Sequence, residues 1–250
     1  MKGKNIIITG ASSGIGAELV KILSSDNKIF AVSRNISNIS ETPNIKAYSC
    51  DVSKAENIDL LFDEAVNFFD KIDVFFANAG FAYCERIQKS DWNHIDEIFS
   101  TNVKSVFYSL CKLKEISEDK PFKFVITASA FSYISMPGYS LYCSTKFALK
   151  GFADAYRYEL DKCQKLILVY PVATYTKFFN VAGSDKMLWP RQKPETVAKA
   201  MIKGVRKSKE NIYPSFLFRI LLLVARILPL FYIYVKLEGK KFRKNNKFSN

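Results

Sequence analysis

Histidine occurs once, at position 94, and cysteine five times, at Cys50, Cys84, Cys111, Cys143 and Cys163, with no Cys-x-x-Cys pair. An odd set of scattered thiols has neither metal-ligand spacing nor the look of a disulfide framework, so free cysteines in a reducing, cytoplasmic setting are expected. His94 has no metal partners in the pattern and reads as a packing or polar helical residue. Glycine and proline are sparse, ten and eight in 250 residues, and no biased tract interrupts the first two hundred. Long disorder is therefore not expected there. Nor is a secretory signal, because Met1 to Lys4 runs directly into Ile6-Ile7-Ile8 and that run ends in a glycine-rich turn.

With 48% of its side chains hydrophobic, the chain can bury one substantial core without a second domain. Its formal net charge of +13 is unevenly placed. Residues 185–250 hold sixteen basic and four acidic side chains, whereas residues 1–184 hold twenty-one and twenty. The excess lies beside an apolar run, and no base-stacking or reading-helix motif accompanies it, so a nucleic-acid partner is not expected.

Short apolar runs alternate with amphipathic stretches. Strands are expected at Asn5–Thr9, Lys28–Ser33, Ile45–Ser49, Ile72–Ala77, Lys123–Thr127 and Leu166–Tyr170. Between them, Ala17–Leu23, Ala55–Phe69, Trp92–Leu113 and Tyr142–Glu159 have helical character, the second opened by a capping box from Ser53 to Glu56. Pro194 suits the first turn of a helix over Glu195–Lys207. This order is what a parallel sheet covered on both faces requires.

Thr9-Gly10-Ala11-Ser12-Ser13-Gly14-Ile15-Gly16 joins the first strand to the first helix. Glycines there let the backbone turn tightly and approach a pyrophosphate, and the amides at the helix start favour its charge. The competing reading is a purely structural turn. At the end of the second strand stand Ser33 and Arg34, where NAD sites commonly carry an acid. An arginine can pair with the additional phosphate of NADP, so NADP is expected over NAD, unless Arg34 is simply a solvent-facing side chain.

Tyr142 and Lys146, four positions apart, share a helical face, and an ammonium beside a phenol favours the phenolate. Together with Gly10, Gly14 and Gly16, Asp51-Val52, Asn78-Ala79-Gly80, Asn102 and Ser129, the pair resembles the short-chain dehydrogenase/reductase family over roughly residues 3–210. The thirteen-position interval from Ser129 to Tyr142 agrees with that pattern. The resemblance implies a doubly wound, Rossmann-type α/β fold and a homo-oligomer. It implies that Tyr142 exchanges a proton with the substrate oxygen, that Ser129 hydrogen-bonds the same oxygen, that Lys146 binds the nicotinamide ribose and lowers the tyrosine pKa, and that Asn102 supports a proton relay. Ser12, Ser13, Ile15, Pro171, Thr174 and Thr176 complete the implied cofactor contacts. Val172 departs from the pattern, standing where the family has a glycine. A cofactor-binding scaffold with little turnover is the alternative of a different class.

Phe178, Phe179, Val181, Met187, Leu188 and Trp189 are expected to cover a hydrophobic ketone, aldehyde or alcohol, or else to pack in the core or an oligomer contact. Tyr83, Phe131, Tyr133 and Met136 are expected to add a second apolar wall. A catalytic domain over 1–210 would then precede a hydrophobic, basic extension over 211–250. In that extension Phe216 to Val235 has the length of a membrane span but contains Arg219, Arg226 and Pro229, and Lys236, Lys240, Lys241, Arg243, Lys244 and Lys247 follow. An interfacial helix on an anionic membrane surface fits better than a crossing. A dimer contact or a substrate lid are the other readings of the tail.

Overall fold

The computed structural model describes residues 1–176, 178–183, 190–225 and 227–245, and the side chains of all of these except 180, 181 and 245. The strands are β1 (Asn5–Thr9), β2 (Lys28–Ser33), β3 (Ile45–Ser49), β4 (Val74–Ala77), β5 (Lys123–Thr127), β6 (Lys165–Val169), the two-residue pair β7 (Ala173–Thr174) and β8 (Arg191–Gln192), and β9 (Asn211–Ile212). The helices are α1 (Gly14–Leu23), α2 (Ala55–Phe68), α3 (Trp92–Phe99), α4 (Ser105–Ser117), α5 (Ser140–Tyr156), α6 (Phe178–Val181), α7 (Pro194–Arg206), α8 (Phe216–Val224) and α9 (Leu230–Asn245).

Seven strands form one parallel sheet in the order β3-β2-β1-β4-β5-β6-β9. Register explains why the strands are apolar on both faces. Ile7 lies opposite Phe30 and Phe75, and Phe75 lies opposite Phe124, so these four side chains share one face. There they pack with Leu61 and Phe62 of α2, Leu110 of α4 and Leu149 of α5. Ile6, Ile8, Phe76 and Val125 point the other way, onto Leu19 of α1 and Val197 and Met201 of α7. Stacking of Phe75 on Phe124, with centroids 4.9 Å apart, welds the two central strands. Each fully buried phenylalanine contributes about 1.5–3 kcal/mol by leaving water. The architecture is a doubly wound, Rossmann-type sheet with helices on both faces. The chain reverses its direction of travel between β1 and β4, and the crevice that opens there lies beyond the carboxyl ends of the strands.

Several expectations need correction. Trp92–Leu113 is not one helix: a π-helical turn over Ser100–Lys104 separates α3 from α4, and α4 runs on to Ser117. The capping box does not form, because Lys54 is the N-cap, no side chain caps it, and the Asp51 carboxylate instead accepts the Ser53 amide at 3.1 Å. The last strand, β9, was missed, since two residues carry no apolar run, and it places Asn211 and Ile212 in the main sheet beyond the boundary drawn at 210. The apolar run 216–235 is divided into α8 and α9 around Leu228-Pro229, and among the described residues no helix is long and apolar enough to cross a membrane. Met187, Leu188, Trp189, Arg226 and Lys247 lie outside the described residues, as does the side chain of Val181.

Candidate active site

The glycine turn is built so that no larger residue fits. Gly10 has φ +67°, and a Cβ at Gly16 would stand 2.1 Å from the Gly10 carbonyl oxygen. The first turn of α1 therefore lies hard against the end of β1, with its amides facing the crevice. Gly14, at φ +56°, touches the next layer: a Cβ there would meet the Thr176 methyl at 2.9 Å. Asn78 fixes the floor beneath this turn. Its backbone amide reaches the Thr9 hydroxyl at 3.0 Å, its side-chain amide reaches the Thr9 carbonyl at 3.2 Å, and its oxygen accepts from the Thr127 hydroxyl at 3.1 Å. One side chain thus ties together the ends of β1, β4 and β5.

From this floor a cleft of about 610 Å³ runs between the strand ends and the C-terminal helices. Gly10, Ser13, Gly14, Ile15, Ala79 and Gly80 line one part, as do Pro171, Thr174 and Thr176 on the far rim. The Ser12 and Ser33 hydroxyls pair at 2.8 Å beside it. Arg34 is exposed, borders this cleft and also the adjoining hollow that contains Asp51, and among the described residues its guanidinium has no carboxylate partner. Asp51 lines that hollow, and its neighbour Val52 is buried. Val172 is buried without left-handed backbone, since Glu118 and Ser208 are the only described non-glycine residues at positive φ.

Deeper in the cleft, Ser129, Tyr142 and Lys146 converge. Ser129 follows β5 and opens a short turn in which its hydroxyl accepts the Phe131 amide at 3.1 Å. Tyr142 and Lys146 project from successive turns of α5, and Lys146 Nζ lies 5.4 Å from the Tyr142 ring centroid while donating to the Thr127 carbonyl at 3.0 Å. Burial, the dominant influence, pushes the Tyr142 phenol far up, although its hydrogen bond with Ser129 pulls the other way. Burial also pushes the Lys146 ammonium down to about 8. Desolvation thus opposes charge on both groups, the opposite direction to the mutual attraction of their charges.

Asn102 lies in the π-helical turn and is fully buried. Its oxygen accepts the Phe81 amide at 3.0 Å, and its amide donates to the Phe81 carbonyl at 2.8 Å and the Thr145 hydroxyl at 3.2 Å. The widened turn is what brings this side chain to the loop after β4 and to α5 together. Its polar atoms are committed to holding those segments.

The remaining wall is apolar. Phe131, Met136, Phe178 and Phe179 lie on it as expected, with Phe131 and Phe178 packed around the Tyr142 ring. Tyr83 and Tyr133 do not: Tyr83 stacks on His94 and bonds Glu97, and Tyr133 packs with Tyr170 and Tyr213. Phe218 and Leu221 of α8 and Leu230, Phe231 and Tyr234 of α9 complete the wall. Sequence reasoning assigned those residues to a separate extension; their one-face helical spacing was the available signal.

Residues 4–186 match the family model described as short chain dehydrogenase. The chain belongs to the short-chain dehydrogenase family. It is accordingly an oxidoreductase working between carbonyl and alcohol. Among similar proteins, an uncharacterized oxidoreductase of Staphylococcus saprophyticus is 25% identical over 240 residues, covering 88% of this chain and 96% of its own. A 3-ketodihydrosphingosine reductase of Dictyostelium discoideum is 28% identical over 257 residues, covering 85% and 75%. The crystal structure of a short chain dehydrogenase/reductase from Burkholderia phymatum in complex with NAD shares the fold, with a TM-score of 0.78, 17% identity, and coverage of 100% and 97%.

Proposed function

We infer that this short-chain dehydrogenase interconverts a hydrophobic ketone or aldehyde and its alcohol with an NADP-type cofactor. The single observation carrying the reading is the meeting of the Ser129, Tyr142 and Lys146 side chains at the junction between a glycine-lined cleft and an apolar one. The cofactor fits the first part on physical grounds. The cradle at Gly10, Gly14 and Gly16 leaves bare backbone where a pyrophosphate approaches, and the Arg34 guanidinium, without a carboxylate partner among the described residues, offers a charge-assisted contact to an additional phosphate. Ser33 beside it carries no charge to repel that phosphate. When bound, the nicotinamide supplies or accepts hydride.

The chain's own groups handle the proton. In reduction the neutral Tyr142 hydroxyl donates to the carbonyl oxygen, and a phenol held protonated by burial suits that role. The Ser129 hydroxyl donates a second hydrogen bond to the same oxygen as charge develops on it. Lys146 orients the nicotinamide ribose and places a cation near the phenol, while Asn102 holds the loop after β4 against α5. An apolar cleft wall favours substrates with extended hydrocarbon parts. The Dictyostelium relative, named a 3-ketodihydrosphingosine reductase, supports the same direction.

The test is a panel of short and long-chain carbonyls with NADPH and NADH, using Y142F as control. Long-chain carbonyls should be preferred, and Y142F should lose about 10²–10⁴-fold in turnover with cofactor affinity little changed. Near-normal reduction by Y142F would overturn the assignment.

A further inference from the structure

The helices α8 and α9 present two different faces. Inward, Phe218, Leu221, Phe231 and Tyr234 line the cleft, and Phe242 and Gly239 approach Gly138 and Pro137 beside it. Outward, α8 exposes Phe216, Leu217, Ile220 and Leu223 with Arg219 among them, its long stem able to carry the charge to the headgroups, and the connection to α9 exposes Ile227 and Leu228. Ile227 is 85% exposed and Leu223 56%. Along the outer face of α9 the character changes within one helix. Tyr232, Ile233 and Leu237 are exposed in its first half, and Lys236, Lys240 and Lys244, each four positions apart, with Lys241 beside them, carry the same face onward. The carboxylate on α9, Glu238, is paired with Lys241 at 2.6 Å. A patch with its apolar part at one end and an excess of ammonium groups at the other matches the layered chemistry of an anionic bilayer, in which acyl chains lie beneath a negative surface.

We propose that the outer face of α8 and α9 docks on an anionic lipid bilayer, so that an apolar substrate passes from the acyl region between these helices into the cleft. The route of the substrate rests on the function inferred above; the docking does not. Leu223, Ile227 and their neighbours enter the acyl boundary while Lys236, Lys240 and Lys244 remain at the headgroups, their stems along the apolar surface. The same two helices then serve as wall of the cleft and contact with the membrane, which removes the aqueous step for a poorly soluble molecule.

Co-flotation of the full chain with phosphatidylcholine vesicles, with and without phosphatidylglycerol, tests the docking without cofactor or turnover. The wild type should float with the anionic vesicles and much less with the neutral ones, and added salt should weaken the binding. L223E/I227E and, separately, K240E/K244E should each reduce binding roughly tenfold or more, with melting temperature and turnover of a short soluble carbonyl unchanged. Absence of flotation by the wild type, or equal flotation by L223E/I227E, overturns the proposal. So does a dimer, seen by light scattering, that L223E/I227E splits while vesicles bind neither protein. If binding occurs but no carbonyl is reduced, the inferred function fails and the docking stands.

Discussion

Replacing Lys146 with methionine should stabilise the cofactor-free protein while abolishing its chemistry. The lysine is 5% exposed, and burial lowers its pKa from 10.5 to about 8. At about 1.4 kcal/mol per pH unit, that difference means that the charged lysine costs the folded state about 3 kcal/mol. Methionine keeps the unbranched stem and discards the charge, but it also discards the charged donor's bond to the Thr127 carbonyl, a loss of about 2 kcal/mol. The net gain is about 1 kcal/mol, which for a chain of this size corresponds to a rise in Tm of about 2–4 °C. The pH dependence gives the sharper check. Below about pH 8 the lysine is charged folded and unfolded, and the full cost is present. Between about 8 and 10.5 the folded lysine has released its proton while the unfolded one retains it, so wild-type stability rises relative to K146M and the gap closes. Paired thermal or denaturant melts at pH 7 and pH 10 measure this directly. A variant no more stable than wild type at pH 7, or a gap unchanged at pH 10, would refute the reasoning that Lys146 is held against its own desolvation for the sake of the site.

Arg34→Ala should raise the KM for NADPH about ten- to a hundredfold, the value of one charge-assisted contact, while KM for NADH changes little; equal effects on both would remove Arg34 from the phosphate site. Asn102→Ala should cost about 2–3 kcal/mol in urea unfolding, because it leaves the Phe81 amide and carbonyl without their buried partner. The fall should appear in the denaturation midpoint at constant slope.

The sheet was legible because each central strand is a run of apolar residues buried on both faces, a signal that needs no knowledge of the partners. Strand ends, helix starts and β9 were less so: Asn211 and Ile212 join the sheet through backbone bonds beside β6, and two residues have no periodicity to read. The π-helical turn at Ser100–Lys104 was hidden for a related reason. Its residues continue an amphipathic pattern, and the partners that Asn102 meets from the widened turn, Phe81 and Thr145, are distant in sequence. The candidate site was read from ordered motifs, and the structure brings Ser129, Tyr142 and Lys146 to one cleft. Their protonation was not legible. Adjacency of an amine and a phenol predicts attraction between charges, but burial penalises each charge first.

That distinction bears on how specificity is divided along the chain. The groups to which the inferred function gives the proton, Ser129 and Tyr142, stand after β5 and on α5, in a part of the fold fixed by sheet packing. The apolar wall opposite them is drawn in large part from α8 and α9, beyond the last strand of the sheet. Phe218 is buried in the main core and Phe231 packs against it, whereas Leu230 and Tyr234 of the same cleft wall lie outside that cluster. Changes at Leu230 or Tyr234 can therefore reshape the wall away from the sheet core, and changes on the outer face of α9 can alter what the helix meets outside without touching the wall. On the function inferred above, the reaction class belongs to the sheet and its loops, and the choice of substrate to the tail that folds back over them.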